Sequence, residues 1–103
     1  MVVEVNEENF KEIVSSEKLV AIDFWAEWCG PCKSLSPVID EMSNEFNDVR
    51  FGKLNVENAP DITDGLKIKN VPTVVFFKSG EEVGRVVGRS SRNHYEKIIL
   101  EYK

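Results

Sequence analysis

The chain has 103 residues, of which 42% are hydrophobic and 30% are charged, so it is expected to form one globular domain over residues 1–103. Its formal net charge of −5 argues against nucleic acid or an anionic membrane surface as the main partner. The longest apolar run, residues 19–26, contains Asp23 and is too short to span a bilayer, so we expect no membrane partner.

The first elements follow from the hydrophobic pattern. Residues 1–5 predict a short strand, and Asn6 is placed to cap the helix that follows it. That helix has one apolar face, formed by Phe10, Ile13 and Val14. Residues 19–26 are apolar on both faces, which is typical of a central strand covered by helices on both sides.

The second helix is the clearest element in the chain. Its apolar residues recur at helical spacing, at Leu35, Val38, Ile39, Met42 and Phe46. Pro37 lies inside this helix and is expected to bend it, because its ring clashes with the preceding turn.

The second half of the chain predicts three more strands and a final helix. Residues 49–56 and 73–77 have strand composition, and Ser79-Gly80 turns the latter into a hairpin with residues 82–87. Ser90 or Ser91 can cap the last helix. With a short helical or irregular segment after residue 58, this order predicts an α/β fold in which helices cover both faces of a mixed sheet.

The two cysteines carry the chemistry. Cys29 and Cys32 enclose Gly30 and Pro31, between the central strand and the bent helix. In an ideal helix this spacing puts the Cα atoms roughly 5 Å apart, which a disulfide can bridge. Gly30 permits a sharp turn, and Pro31 suits a first helical turn because it lacks an N–H. The pair is therefore expected to form and break a disulfide with little backbone movement.

The two thiols are expected to differ. Cys29 lies just before the helix, where unpaired N–H groups and the helix dipole favour a thiolate. Cys32 lies one turn inside and is expected to be more buried. The Cys29 thiolate then attacks a partner disulfide, and Cys32 resolves the mixed disulfide.

Three other interpretations of the cysteines are weaker. A zinc site needs about four ligands, and the chain offers only the two cysteines and His94. A structural disulfide here would close a very small loop and stabilise little. Two inert core cysteines would leave Gly30 and Pro31 between them unexplained. We therefore expect no metal and no cofactor.

Residues 24–33, Phe-Trp-Ala-Glu-Trp-Cys-Gly-Pro-Cys-Lys, resemble the active-site sequence of the thioredoxin family. Disulfide isomerases and glutaredoxins share the fold but typically carry His, or Pro-Tyr, between the cysteines. The resemblance covers essentially the whole chain, through Asp23, Pro37, Lys53 to Val56, Val71 to Thr73, and Val87-Gly88.

This resemblance implies the thioredoxin fold, a central mixed five-stranded sheet in the order 1-3-2-4-5 flanked by four helices. It also implies a protein disulfide reductase that is recycled by thioredoxin reductase. We expect a cytoplasmic monomer acting on disulfide-containing client proteins, because the N-terminus lacks the basic start and long apolar stretch of a signal peptide. In a reducing compartment, two cysteines are more often catalytic or metal-binding than structural.

The resemblance also assigns roles to residues outside the cysteine pair. Asp23 is expected to be a buried carboxyl of raised pKa that takes the proton from Cys32, with Lys53 as its charged neighbour. The alternatives are a solvated carboxylate and a solvated lysine at strand ends. A cis Val71–Pro72 bond is expected to face the disulfide. The implied apolar substrate patch around Cys29 consists of Trp28, Gly30, Pro31, Val71, Pro72 and Gly88.

The segment before Val71 departs from the family. Lys67 stands where the family usually has Gly, and Asn70 where it has Ser or Gly. The difference concerns the local backbone and the choice of partner. Two rival functions remain open, a thioredoxin-fold binding subunit that needs no turnover, and a disulfide isomerase or oxidant.

Overall fold

The computed structural model describes residues 1–103, and it has the element order that the sequence predicts. The five strands are β1 Val2–Val5, β2 Leu19–Trp25, β3 Val49–Asn55, β4 Thr73–Lys78 and β5 Glu81–Val87. The four helices are α1 Phe10–Val14, α2 Gly30–Glu45, α3 Pro60–Gly65 and α4 Arg92–Tyr102, with a 3-10 turn at Val56–Asn58. No helix combines the length and the apolar character needed to cross a membrane.

The strands form one mixed sheet in the order β1-β3-β2-β4-β5. Strands β1, β3 and β2 run parallel, and β4 and β5 are antiparallel to their neighbours. Both the order and the final hairpin confirm the expectation from the resemblance. Strand β2 lies in the centre because its residues from Leu19 to Phe24 are buried on both faces of the sheet.

Successive side chains of β2 point to opposite faces of the sheet, so β2 contributes to two separate hydrophobic cores, one on each face. Leu19 and Ala21 point to the face that α2 and α4 cover, whereas Val20 and Ile22 point to the face of α1 and α3. Asp23 continues the Leu19 and Ala21 series. It therefore lies on the α2 face, beneath the cysteine-bearing helix.

Helix α2 begins where its sequence predicts. Cys29 is the N-cap and Pro31 lies in the first turn, where its missing N–H costs nothing. Leu35, Ile39 and Met42 form the buried stripe that packs on the sheet. Pro37 lies inside the helix as expected and removes one main-chain donor from it.

The structure tests both capping expectations. Asn6 caps the turn that leads into α1, because its side-chain oxygen accepts hydrogen bonds from the N–H groups of Glu8 and Asn9 at 2.9 and 3.0 Å. The Phe10 N–H then donates to the Asn6 carbonyl at 3.0 Å, and α1 is regular from Phe10 onward. Ser91 is the N-cap residue of α4 by position, but its hydroxyl makes no capping bond.

Lys67 adopts a left-handed backbone conformation, with φ of 58°, in the connection between α3 and β4. This is the position at which the family usually has Gly. An L-residue with a side chain is strained there, because its Cβ crowds the adjacent carbonyl. The departure noted in the sequence therefore has a structural cost, which an exposed lysine does not offset by packing.

Lys67→Gly is expected to raise the free energy of unfolding by about 0.5–1 kcal/mol, since relief of the left-handed strain exceeds the added entropy of an unfolded glycine. Urea denaturation of the oxidised protein measures the change. Lys69→Gly is the matched control, an exposed lysine of the same loop without positive φ, and it should lower stability. Equal losses in both variants would contradict the strain at Lys67.

Candidate active site

A disulfide joins Cys29 and Cys32 at the start of α2. Their Cα atoms are 5.3 Å apart, which agrees with the spacing that helix geometry predicts. Cys29 has extended backbone angles and is the N-cap, whereas Cys32 lies inside the first turn. The turn thus holds the two sulfur atoms within bonding distance without help from distant elements.

The asymmetry between the sulfurs comes from the helix start. The backbone N–H of Cys32 points at the Cys29 Sγ atom at 3.1 Å, and this sulfur takes the place of an ordinary capping oxygen. An N–H donor and the positive end of the helix dipole both favour negative charge on Cys29. The same groups give Cys32 no comparable support.

The expected difference in burial was wrong. Cys29 is 3% exposed and Cys32 is 4% exposed, so the two residues are equally buried. The reason is that Trp25, Val56 and Val71, which all lie outside α2, pack against the cluster that contains both cysteines. Position on the helix, and not burial, distinguishes the two cysteines.

Asp23 is buried, and its Oδ1 atom has no hydrogen-bond partner. Burial raises the pKa of this carboxyl to about 7, and the positive charge of Lys53 partly opposes the rise. Asp23 and Cys32 line the same open cleft, of about 330 Å³. The carboxyl can therefore exchange a proton near neutral pH on the side of the resolving cysteine.

Lys53 is opposite Asp23 in the register of β2 and β3, as the resemblance implied. Its side chain is nevertheless exposed to solvent, and its ammonium lies 5.9 Å from the centroid of the Trp25 ring. The two interpretations of Lys53 are thus compatible. It is a solvated lysine at the cleft wall, and its charge still acts on the buried carboxyl.

Of the implied substrate patch, the structure places Val71 directly beside Cys29, whereas Pro72 is buried and Gly88 is hydrogen-bonded to it. The Val71–Pro72 bond is cis, and the Val71 carbonyl oxygen lies 3.6 Å from the Cys29 Sγ atom. Gly88 has a positive φ of 78° and donates its N–H to the Pro72 carbonyl at 2.8 Å. Trp28 is 71% exposed, which is unusual for a residue of that size.

Gly30 and Pro31 complete the exposed surface beside Trp28. A shallow groove of about 310 Å³ continues from Trp28 and Val71 toward α3. Sequence reasoning missed the rest of its lining, which is Val56, Thr63, Ile68, Lys69 and Asn70. Only the departure at residues 66–70 pointed to this region. No group of three or more His, Cys, Asp or Glu side chains comes together as a metal site would require.

Comparison with known proteins gives a consistent result. A protein-family model described as thioredoxin matches residues 1–101. A thioredoxin from Chlamydia caviae is 39% identical over 99% of both chains. The M-type chloroplast thioredoxin of Spinacia oleracea is 42% identical over 96% of this chain, which spans 56% of that relative. The solved thioredoxin of Malassezia sympodialis aligns with a TM-score of 0.91 at 34% identity, covering 99% of this chain and 90% of that one.

The chain therefore belongs to the thioredoxin family. Its Cys29–Cys32 disulfide lies at the position of the family's Cys-x-x-Cys active site, and the protein is a dithiol–disulfide oxidoreductase. The resemblance in the sequence is confirmed.

Asp23→Ala is expected to raise the free energy of unfolding of the oxidised protein by up to about 4 kcal/mol above pH 7, because a carboxyl moved from pKa 3.8 to about 7 costs that much to ionise. Between about pH 4 and pH 7 the native parent holds a proton that the unfolded chain has released. Parental stability therefore falls as the pH rises through this window, and the gain disappears below it.

Urea titrations at about pH 4 and about pH 8 measure this difference. Asp40→Ala, which removes an exposed carboxylate of α2, controls for the loss of one charge. A gain for Asp23→Ala that is the same at both pH values would show that ionisation of Asp23 is not the cause.

Proposed function

We propose that this protein is a disulfide reductase that transfers two electrons from its Cys29–Cys32 dithiol to disulfides in client proteins. The observation that carries the proposal is the Cys29 Sγ atom as the cap of α2, facing the Cys32 N–H. Beside this sulfur lie the Val71 carbonyl and the exposed Trp28 ring. An activated sulfur next to an open apolar surface suits attack on a disulfide in a large partner.

The first step forms a mixed disulfide. In the reduced protein, the Cys29 thiolate attacks one sulfur of the client disulfide along the S–S axis. A bond forms between Cys29 Sγ and that sulfur, and the client's other sulfur leaves as a thiolate that takes a proton from solvent. The helix start stabilises the attacking thiolate through the N–H of Cys32.

The second step releases the client. Asp23, ionised at that moment, accepts the proton of the Cys32 thiol, and the new thiolate attacks Cys29 Sγ. The Cys29–Cys32 disulfide forms while the second client sulfur leaves as a thiolate. A carboxyl whose pKa is about 7 can accept this proton and then lose it near neutral pH. The open cleft beside Lys53 supplies the route to solvent.

The client is held by the patch around Cys29. The backbone of Val71 is placed beside the reacting sulfur, where it can pair with an extended client segment. The other contacts we assign to the client are Trp28, Gly30, Pro31, Pro72 and Gly88.

The cycle ends with an oxidised protein, so a second reaction must return two electrons. We propose that a thioredoxin reductase does this, and that the protein acts as a cytoplasmic monomer. A reducing compartment fits a protein whose working form is the dithiol.

Cys29→Ser is expected to abolish reduction of insulin disulfides in a turbidity assay with dithiothreitol, because it removes the attacking thiolate. Cys32→Ser should also lose turnover, but it should still attack and accumulate a mixed disulfide with insulin that is visible on non-reducing gels. Each variant carries a single Cys→Ser change, and the two changes lie at opposite ends of the same turn. Each variant therefore serves as the control for the other.

The rival functions predict other results. A binding subunit would retain its partner in the double variant Cys29→Ser, Cys32→Ser, and the parent would fail to reduce insulin. An oxidant or isomerase would have a higher reduction potential than a reductase, which redox titration against glutathione measures. Trapping of insulin by Cys29→Ser instead of Cys32→Ser would reverse the assignment of the two cysteines.

A further inference from the structure

The loop of residues 88–91 connects β5 to α4 and carries Gly88, which we assign to the client patch. Its two ends are fixed differently. At Gly88 the N–H donates to the Pro72 carbonyl at 2.8 Å, which ties this end to the patch. At the other end, the Ser91 side chain makes no capping hydrogen bond to α4, so this end lacks the side-chain cap that usually holds the start of a helix.

A buried phenol supplies the missing fixation. The backbone N–H of Ser90 donates to the Tyr95 hydroxyl oxygen at 3.1 Å. The Tyr95 side chain is fully buried in the core between the sheet, α2 and α4. The Ser90 hydroxyl also lies 2.9 Å from Nδ1 of His94, on the exposed side of the same turn. The Tyr95 bond therefore joins the Ser90 side of the loop to the rigid interior.

The Tyr95 hydroxyl has no role in filling the core, because a phenylalanine ring would fill the same space. Burial raises the pKa of this phenol, the Ser90 N–H lowers it and the Asp23 charge raises it, with a net rise. The hydroxyl therefore stays neutral over the working range of a thiol enzyme. A neutral hydroxyl in the core can accept the Ser90 N–H without the cost of a buried charge.

We infer that Tyr95 is a positioning residue for client binding. Its hydroxyl holds Ser90, and through Ser90 it keeps the loop that contains Gly88 next to Pro72 and Cys29. The inference rests on the proposed function, because Gly88 is assigned to the client there. Tyr95 touches neither sulfur in this arrangement. It should therefore affect how firmly a client protein is held and leave the reactivity of Cys29 unchanged.

Tyr95→Phe tests this inference, because it removes only the hydroxyl oxygen and leaves the ring. The KM for insulin is expected to rise about 3- to 10-fold, the range that the net contribution of one hydrogen bond allows, with little change in kcat. Alkylation of reduced Cys29 by iodoacetamide, a reagent too small to need the loop, should keep its rate. Amide hydrogen exchange at Ser90 should become faster.

Tyr102→Phe is the matched control. Tyr102 lies two turns along the same helix, is partly buried against the same core, and has no hydrogen bond from its hydroxyl to the loop. It should change neither the insulin KM nor exchange at Ser90. A general loss of stability would affect both variants in the same way.

The outcomes separate the inference from the proposed function. An unchanged insulin KM in Tyr95→Phe overturns the inference, even if Ser90 exchanges faster, and so does an equal rise in Tyr102→Phe. A slower reaction of Cys29 with iodoacetamide in Tyr95→Phe also overturns it, because the residue would then act on the sulfur itself. Failure of the parent protein to reduce insulin would count against the proposed function, and it is seen without any variant.

Discussion

The start of α2 is the feature on which the site depends. The chain leaves the central strand β2, and the first free N–H groups of the helix meet a sulfur atom instead of an oxygen. The same short turn places Cys32 within disulfide distance of Cys29. Local geometry thus determines both the bond that can form and the sulfur that carries negative charge, because helix termini favour anions.

The sheet adds the proton chemistry. Asp23 lies in β2 on the face that α2 covers, so the alternation that builds the core also places a carboxyl under the resolving cysteine. Its burial lowers stability at neutral pH, and the exposed Lys53 offsets only part of that cost. A function that needs a proton acceptor near pH 7 explains why an unfavourable group occupies a central strand.

Hydrophobic periodicity and turn-forming residues were enough to predict the secondary structure and the redox pair from the sequence alone. The apolar β2 and the stripe on α2 identified the central elements, and the spacing of Cys29 and Cys32 identified the redox pair. The proximity of Val71 and Gly88 to Cys29 came only from the resemblance, because contacts between distant segments leave no periodic signal. The sequence did not point to the role of Tyr95, since an aromatic residue at helical spacing gives no sign of what its hydroxyl binds.

The expectation of a more exposed Cys29 was wrong for a tertiary reason. Residues outside α2 pack against the cysteine pair, so Cys29 is as buried as Cys32. A pattern read along one helix gives no sign of such neighbours.

The pH dependence of Cys29 alkylation in the reduced protein tests the central claim most directly. Iodoacetamide labelling followed by peptide mapping gives the rate at each cysteine separately. If the start of α2 stabilises the thiolate, the rate at Cys29 should reach half its maximum below the pKa of about 8.5 of a free cysteine, while Cys32 reacts much more slowly. A midpoint at or above that value, or faster labelling of Cys32, would contradict the account.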